Sequence, residues 1–144
     1  MTGQGAREKD VLTRRGFVGC ALCALAGFSA SEVFAQGTQT PGLKRTLISR
    51  MDGPTPGYET IEMKVEIDAG ATVARHTHFG IETGFVVDGS LELTIEGVSS
   101  KAYSKGEGFQ APAGAIHGGK GGPDPITITS VYVVERGKPL ATPA

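Results

Sequence analysis

The stretch Gly70-Ala-Thr-Val-Ala-Arg-His76-Thr-His78-Phe-Gly-Ile-Glu82-Thr-Gly-Phe-Val-Val-Asp-Gly89 decides how this chain is read. The protein has three histidines in 144 residues, and two of them stand here one residue apart, with a glutamate just beyond. In a β-strand successive side chains point to opposite faces, so His76 and His78 face one way and Thr77 the other. Two imidazoles so placed can both reach one metal ion at about 2.0–2.1 Å. Glu82 follows after Phe79-Gly80-Ile81, where the glycine permits a kink, so strict strand parity is not relied on across the gap. The carboxylate is nevertheless close enough to return to the same centre. The third histidine, His117, closes a second patterned stretch, Gly106-Glu-Gly-Phe-Gln-Ala-Pro112-Ala-Gly114-Ala-Ile-His117, whose Pro-x-Gly turn delivers it from later in the chain.

Around these stretches the chain is written in strands. Ile61–Ile67 alternates apolar and charged residues at every step, and Leu91–Glu96 does the same, which is the period of a half-buried strand. Phe85–Val87 and Ile126–Val134 are rich in β-branched and aromatic residues, which also favours strands. Turn signals recur at 52–54, 68–70, 88–89, 105–106, 113–114 and 123–125. No segment after residue 35 carries a capped 3.6-residue period. The expected architecture is all-β, a small antiparallel β-barrel in a single domain over residues 43–135, with a C-terminal tail over 136–144. The glycine run Gly118-Gly-Lys-Gly-Gly122 lacks the strand–loop–helix setting of a phosphate cradle and reads as a mobile rim at the barrel mouth.

The amino end reads differently. Arg14-Arg15 precede Phe17 and a short run of small apolar residues, followed by Val33 and Ala35 at the −3 and −1 positions of a cleavage site. This is the pattern of a twin-arginine export signal over residues 1–35, with 36–42 as a flexible lead-in. Its apolar core falls short of the roughly 20 residues needed to cross a bilayer, so cleavage after Ala35, and no stable membrane anchor, is expected. Cleavage removes four of the 14 basic and three of the 15 acidic residues, leaving ten against twelve. A mildly acidic domain has no general attraction for nucleic acid. Both cysteines, Cys20 and Cys23, leave with the signal, so neither disulfides nor thiolate ligands are available to the exported domain. The expected location is the periplasm or the medium.

The two patterned stretches together resemble the cupin family. Gly70, His76, His78, Glu82 and Gly89 fill the first cupin motif; Gly106, Pro112, Gly114 and His117 fill all but the last slot of the second, where Gly121 stands in place of the usual Asn. The resemblance covers roughly residues 43–135 and implies a jelly-roll barrel with His76, His78, Glu82 and His117 as ligands of one divalent transition metal.

Three imidazoles and a carboxylate accept Mn, Fe, Co, Ni, Cu or Zn. The twin-arginine route carries folded proteins, so an ion bound before export would be retained; Mn or Fe is therefore favoured, with Cu, Ni and Zn as alternatives. Glu82 doubles as the candidate general base. Met63, Phe85, Phe109, Gln110 and Tyr132 are candidate pocket residues, each also explicable as barrel packing. A dioxygenase acting on a small aromatic or dicarbonyl substrate is the first expectation. A non-redox lyase, isomerase or decarboxylase is the second, and a non-enzymatic binding module the third. Pairing through edge strands or the tail predicts a homodimer.

Overall fold

The computed structural model describes residues 40–144; the expected export signal over 1–35 and residues 36–39 of the expected lead-in lie outside them. Ten strands follow one another with no helix between them among the described residues. They are β1 (Leu43–Asp52), β2 (Tyr58–Ile67), β3 (Thr72–Thr77), β4 (Gly80–Asp88), β5 (Ser90–Ile95), β6 (Lys101–Ser104), β7 (Gly108–Ala111), β8 (His117–Gly121), β9 (Ile126–Glu135) and β10 (Thr142–Pro143). They form two five-stranded antiparallel sheets in the orders β1-β2-β9-β4-β7 and β10-β3-β8-β5-β6. This is the all-β jelly roll expected from the sequence.

The alternation read from the sequence becomes the wall of the core. Ile61, Met63, Val65 and Ile67 of β2, Ile126, Ile128, Tyr132 and Val134 of β9, and Leu91, Leu93 and Ile95 of β5 all turn inward and are buried. Each expected turn falls between strands, and Gly70, Gly89, Gly106 and Gly114 take positive φ there. Such a backbone is costly for any residue with a Cβ.

One expectation is corrected. Residues 118–122 are no mobile rim: Gly118–Gly121 belong to β8, a central strand between β3 and β5. Their glycines are needed because neighbouring backbone comes close. A Cβ on Gly118 would lie 2.8 Å from the Val73 carbonyl oxygen, and one on Gly119 would collide with that of Glu92. Within the C-terminal tail, β10 adds a short strand to the edge of β3.

Candidate metal centre

Two cross-strand pairs and one corner residue build the site. His76 on β3 lies opposite His117 on β8, and Glu82 on β4 lies opposite Tyr132 on β9. Directly opposed residues share a face, so each pair projects into the interior from its own sheet. His78 stands where the chain passes from β3 to β4. That corner is fixed by Gly114 N–H donating to the His78 carbonyl at 3.1 Å and Glu135 N–H donating to the Phe79 carbonyl at 2.9 Å. Gly80 makes the corner possible: a Cβ there would run into the Val133 carbonyl and lie 2.6 Å from Val134 Cα.

His76, His78, Glu82 and His117 thereby bring one potential ligand atom each to within 4.8 Å of one another. His78, Glu82 and His117 are buried. The three rings crowd together, with centroids 4.3 Å apart for His76–His117, 4.9 Å for His76–His78 and 5.0 Å for His78–His117. Glu82 Oε2 lies 3.0 Å from His78 Nε2 and 3.1 Å from His117 Nε2, and Glu82 Oε1 accepts from the Tyr132 hydroxyl at 2.9 Å.

The hydrogen-bond inventory shows that this group suits a cation. His78 Nδ1 and His117 Nδ1 each face a backbone carbonyl, of Leu140 and Ala115, while both Nε2 atoms face the Glu82 carboxylate. A neutral imidazole carries one N–H, which Nδ1 already uses, so an Nε2–H donated to Glu82 requires an imidazolium. A divalent ion would take the place of such a proton, and the donor set is one that transition metals accept.

The titration behaviour fits this crowding. Burial, with smaller contributions from His117 and His78, holds His76 down to about 4. Burial also opposes charge on His117, but hydrogen bonds to Glu82 and the Ala115 carbonyl outweigh it and raise its pKa. For Glu82, burial is outweighed by the hydrogen bonds to His117 and His78, which hold the carboxyl well below its usual range. Burial and the adjacent Glu82 charge push Tyr132 well above 10, so the phenol remains a donor. Both Glu82 oxygens are thus engaged, Oε2 by the two imidazoles and Oε1 by the Tyr132 hydroxyl.

The candidate pocket residues divide by strand parity. Met63, Phe109 and Tyr132 face inward and are buried, and of these Tyr132 touches the cluster, meeting the His78 ring edge-on at 5.0 Å. Phe85 and Gln110 do not belong to the pocket. Glu82, Gly84 and Val86 point inward along β4, so Phe85 points out and is 50% exposed; Phe109 and Ala111 point inward along β7, so Gln110 is exposed. Two contributors had no readable sequence signal. One is the Leu140 carbonyl. The other is Arg45, a half-buried residue of β1 opposite Val65, on the face shared by Leu43 and the core. The Arg45 charge reaches the Tyr132 phenol, and among the described residues no ion pair neutralises it.

Comparison with known proteins agrees with this fold. Residues 63–132 match the family model described as Cupin domain, a span containing all four ligand candidates and Tyr132. No curated protein matches the chain. Among solved structures, KdgF from Halomonas sp. is 26% identical, with TM-score 0.55, over 70% of this chain and 86% of that one. An RmlC-like cupin from Shewanella frigidimarina NCIMB 400 is also 26% identical, with TM-score 0.57, over 74% and 95% of the two chains. The DMSP lyase DddQ from Ruegeria pomeroyi DSS-3 has TM-score 0.64 at 15% identity, covers 77% of this chain and 58% of its own, and shares the fold.

Proposed function

We propose that this single-domain cupin-like barrel binds one divalent transition metal, Mn or Fe by preference, through His76, His78, Glu82 and His117, and uses it as a dioxygenase on a small organic substrate. The observation that carries the reading is the convergence of four potential ligand atoms within 4.8 Å, with two imidazole Nε2 atoms 3.0 and 3.1 Å from one Glu82 oxygen. When bound, the ion supplies Lewis acidity and, if redox-active, a means of engaging dioxygen. The chain's own residues shape what reaches it. Core side chains such as Met63, Phe109 and Val86 keep the interior apolar, and Tyr132 holds Glu82 Oε1 so that Oε2 is the oxygen presented to the ion. Arg45 adds positive charge on the inward face of β1, which suits a carboxylate, a phenolate or the enolate of a dicarbonyl.

A second reading has its own support. Tyr132 is a protonated phenol beside the centre, and a non-redox lyase, isomerase or decarboxylase needs a group that delivers a proton. Oxygen uptake by Fe- or Mn-loaded protein over a panel of small aromatic acids and dicarbonyls separates the readings. Substrate-dependent uptake supports the dioxygenase, anaerobic turnover with Zn supports the lyase class, and tight binding without turnover supports a binding module.

Export and pairing complete the proposal. The Arg14-Arg15 signal supports passage to the periplasm. Exposed Phe79, Ile81, Phe85 and Val87, together with the long edge strand β1, support a homodimer that size-exclusion chromatography would reveal.

A further inference from the structure

Three backbone carbonyls orient the three imidazoles, and they differ in origin. His76 Nδ1 donates to the Ala74 carbonyl at 2.8 Å and His117 Nδ1 to that of Ala115 at 2.9 Å. Both acceptors lie two residues upstream of their histidine, so local strand and turn geometry supplies them. His78 Nδ1 donates instead to the Leu140 carbonyl, 62 residues further along the chain. The segment that brings it there is anchored along its length. Gly137 turns with φ +76°, Leu140 packs partly buried against the core, Thr142 and Pro143 pair with Thr77 and His76, and Ala144 N–H donates to the Arg75 carbonyl at 3.1 Å.

We infer that the C-terminal segment 137–144 is a working part of the centre, with the Leu140 carbonyl as the positioning group that keeps His78 Nε2 turned toward Glu82. This rests on the metal-binding reading of the site. A carbonyl acceptor at Nδ1 fixes both ring orientation and tautomer, leaving the lone pair on Nε2. Tyr132 packs against the His78 ring but does not choose between its two nitrogens. With Leu140 gone, the other acceptor near the ring is Glu82 Oε2, and a His78 N–H directed there occupies the place of the ion. His76 and His117 keep their own carbonyls, so the loss falls on a single ligand.

The test compares the protein with a chain ending at Lys138 and with the full-length Leu140→Ser variant, which keeps the backbone but loses the apolar anchor. Two readouts are taken: the slowly exchanging imidazole Nδ1–H signals of the metal-free protein by NMR, and the Co²⁺ dissociation constant by competition with a chelator. The shortened chain should lose the His78 Nδ1–H signal, retain those of His76 and His117, and bind Co²⁺ about 10–100-fold more weakly. Leu140→Ser should shift both readouts in the same direction by less, and it decides the matter if the shortened chain does not fold. Protection of all three signals, with Co²⁺ affinity within about twofold of the parent, overturns the inference. If the parent binds no Co²⁺, the metal reading fails, and the His78 signal alone decides the positioning claim.

Discussion

Glu82 and Tyr132 face each other across the β4–β9 ladder, and the Tyr132 hydroxyl donates to Glu82 Oε1 at 2.9 Å inside the barrel. Tyr132→Phe leaves that buried oxygen without a donor while preserving the ring. The metal-free protein should lose about 1–3 kcal/mol of stability in urea unfolding. The loss should shrink when metal is bound, because the ion can then take the freed oxygen. An unchanged unfolding midpoint in the metal-free protein contradicts this role.

Metal affinity should depend on pH with a definite sign. The raised pKa of His117 means that in the metal-free protein its proton persists to higher pH than on an ordinary imidazole at 6.5. Proton and ion compete for the same Nε2, so apparent affinity should rise with pH until that pKa is passed and then flatten. Below it, each pH unit should cost about tenfold for this one proton. His76, held to about 4, adds competition only in much stronger acid. Chelator competition across the range measures the profile; a flat response down to pH 5 removes the assignment of His117.

Gly80→Ala should be among the more damaging small changes in the barrel. The new methyl meets the backbone of Val133 and Val134, which cannot rotate away, in the strand that carries Tyr132. A loss of about 1–3 kcal/mol or more is expected, together with weaker metal binding, because Glu82 lies two residues further along β4. A variant with parental stability and affinity shows that the corner has room the geometry denies.

Arg45→Met tests the charge on the inward face of β1. The variant should bind metal normally, while a small dicarboxylate or β-diketonate probe on the Co²⁺-loaded protein binds roughly tenfold or more weakly. Equal probe affinity in parent and variant removes Arg45 from substrate recognition.

How much of this was legible in the sequence depends on what each element is made of. β2, β5 and β9 were readable because Ile61–Ile67, Leu91–Glu96 and Ile126–Val134 alternate or concentrate β-branched residues where one face is buried. The clustering of His76, His78, Glu82 and His117 was readable because a chain with three histidines places all of them on patterned positions. β8 was not readable, since His-Gly-Gly-Lys-Gly has almost no intrinsic strand preference and its glycines answer to backbone on neighbouring strands. Phe85-Val86-Val87 is apolar at every position, so parity within it is hidden until pairing with β9 turns Val86 inward and Phe85 outward. The Leu140 contact joins positions 62 residues apart through a backbone atom, which no side-chain pattern records.

Whether His76, His78, Glu82 and His117 hold one metal ion is tested by the metal content of protein recovered after native export, without refolding or metal-affinity resin. Close to one transition-metal ion per chain is expected, Mn or Fe in preference, with loss of that ion in His76→Ala. Protein that emerges metal-free, and that takes up no Mn, Fe, Co or Zn when these are supplied, contradicts that expectation.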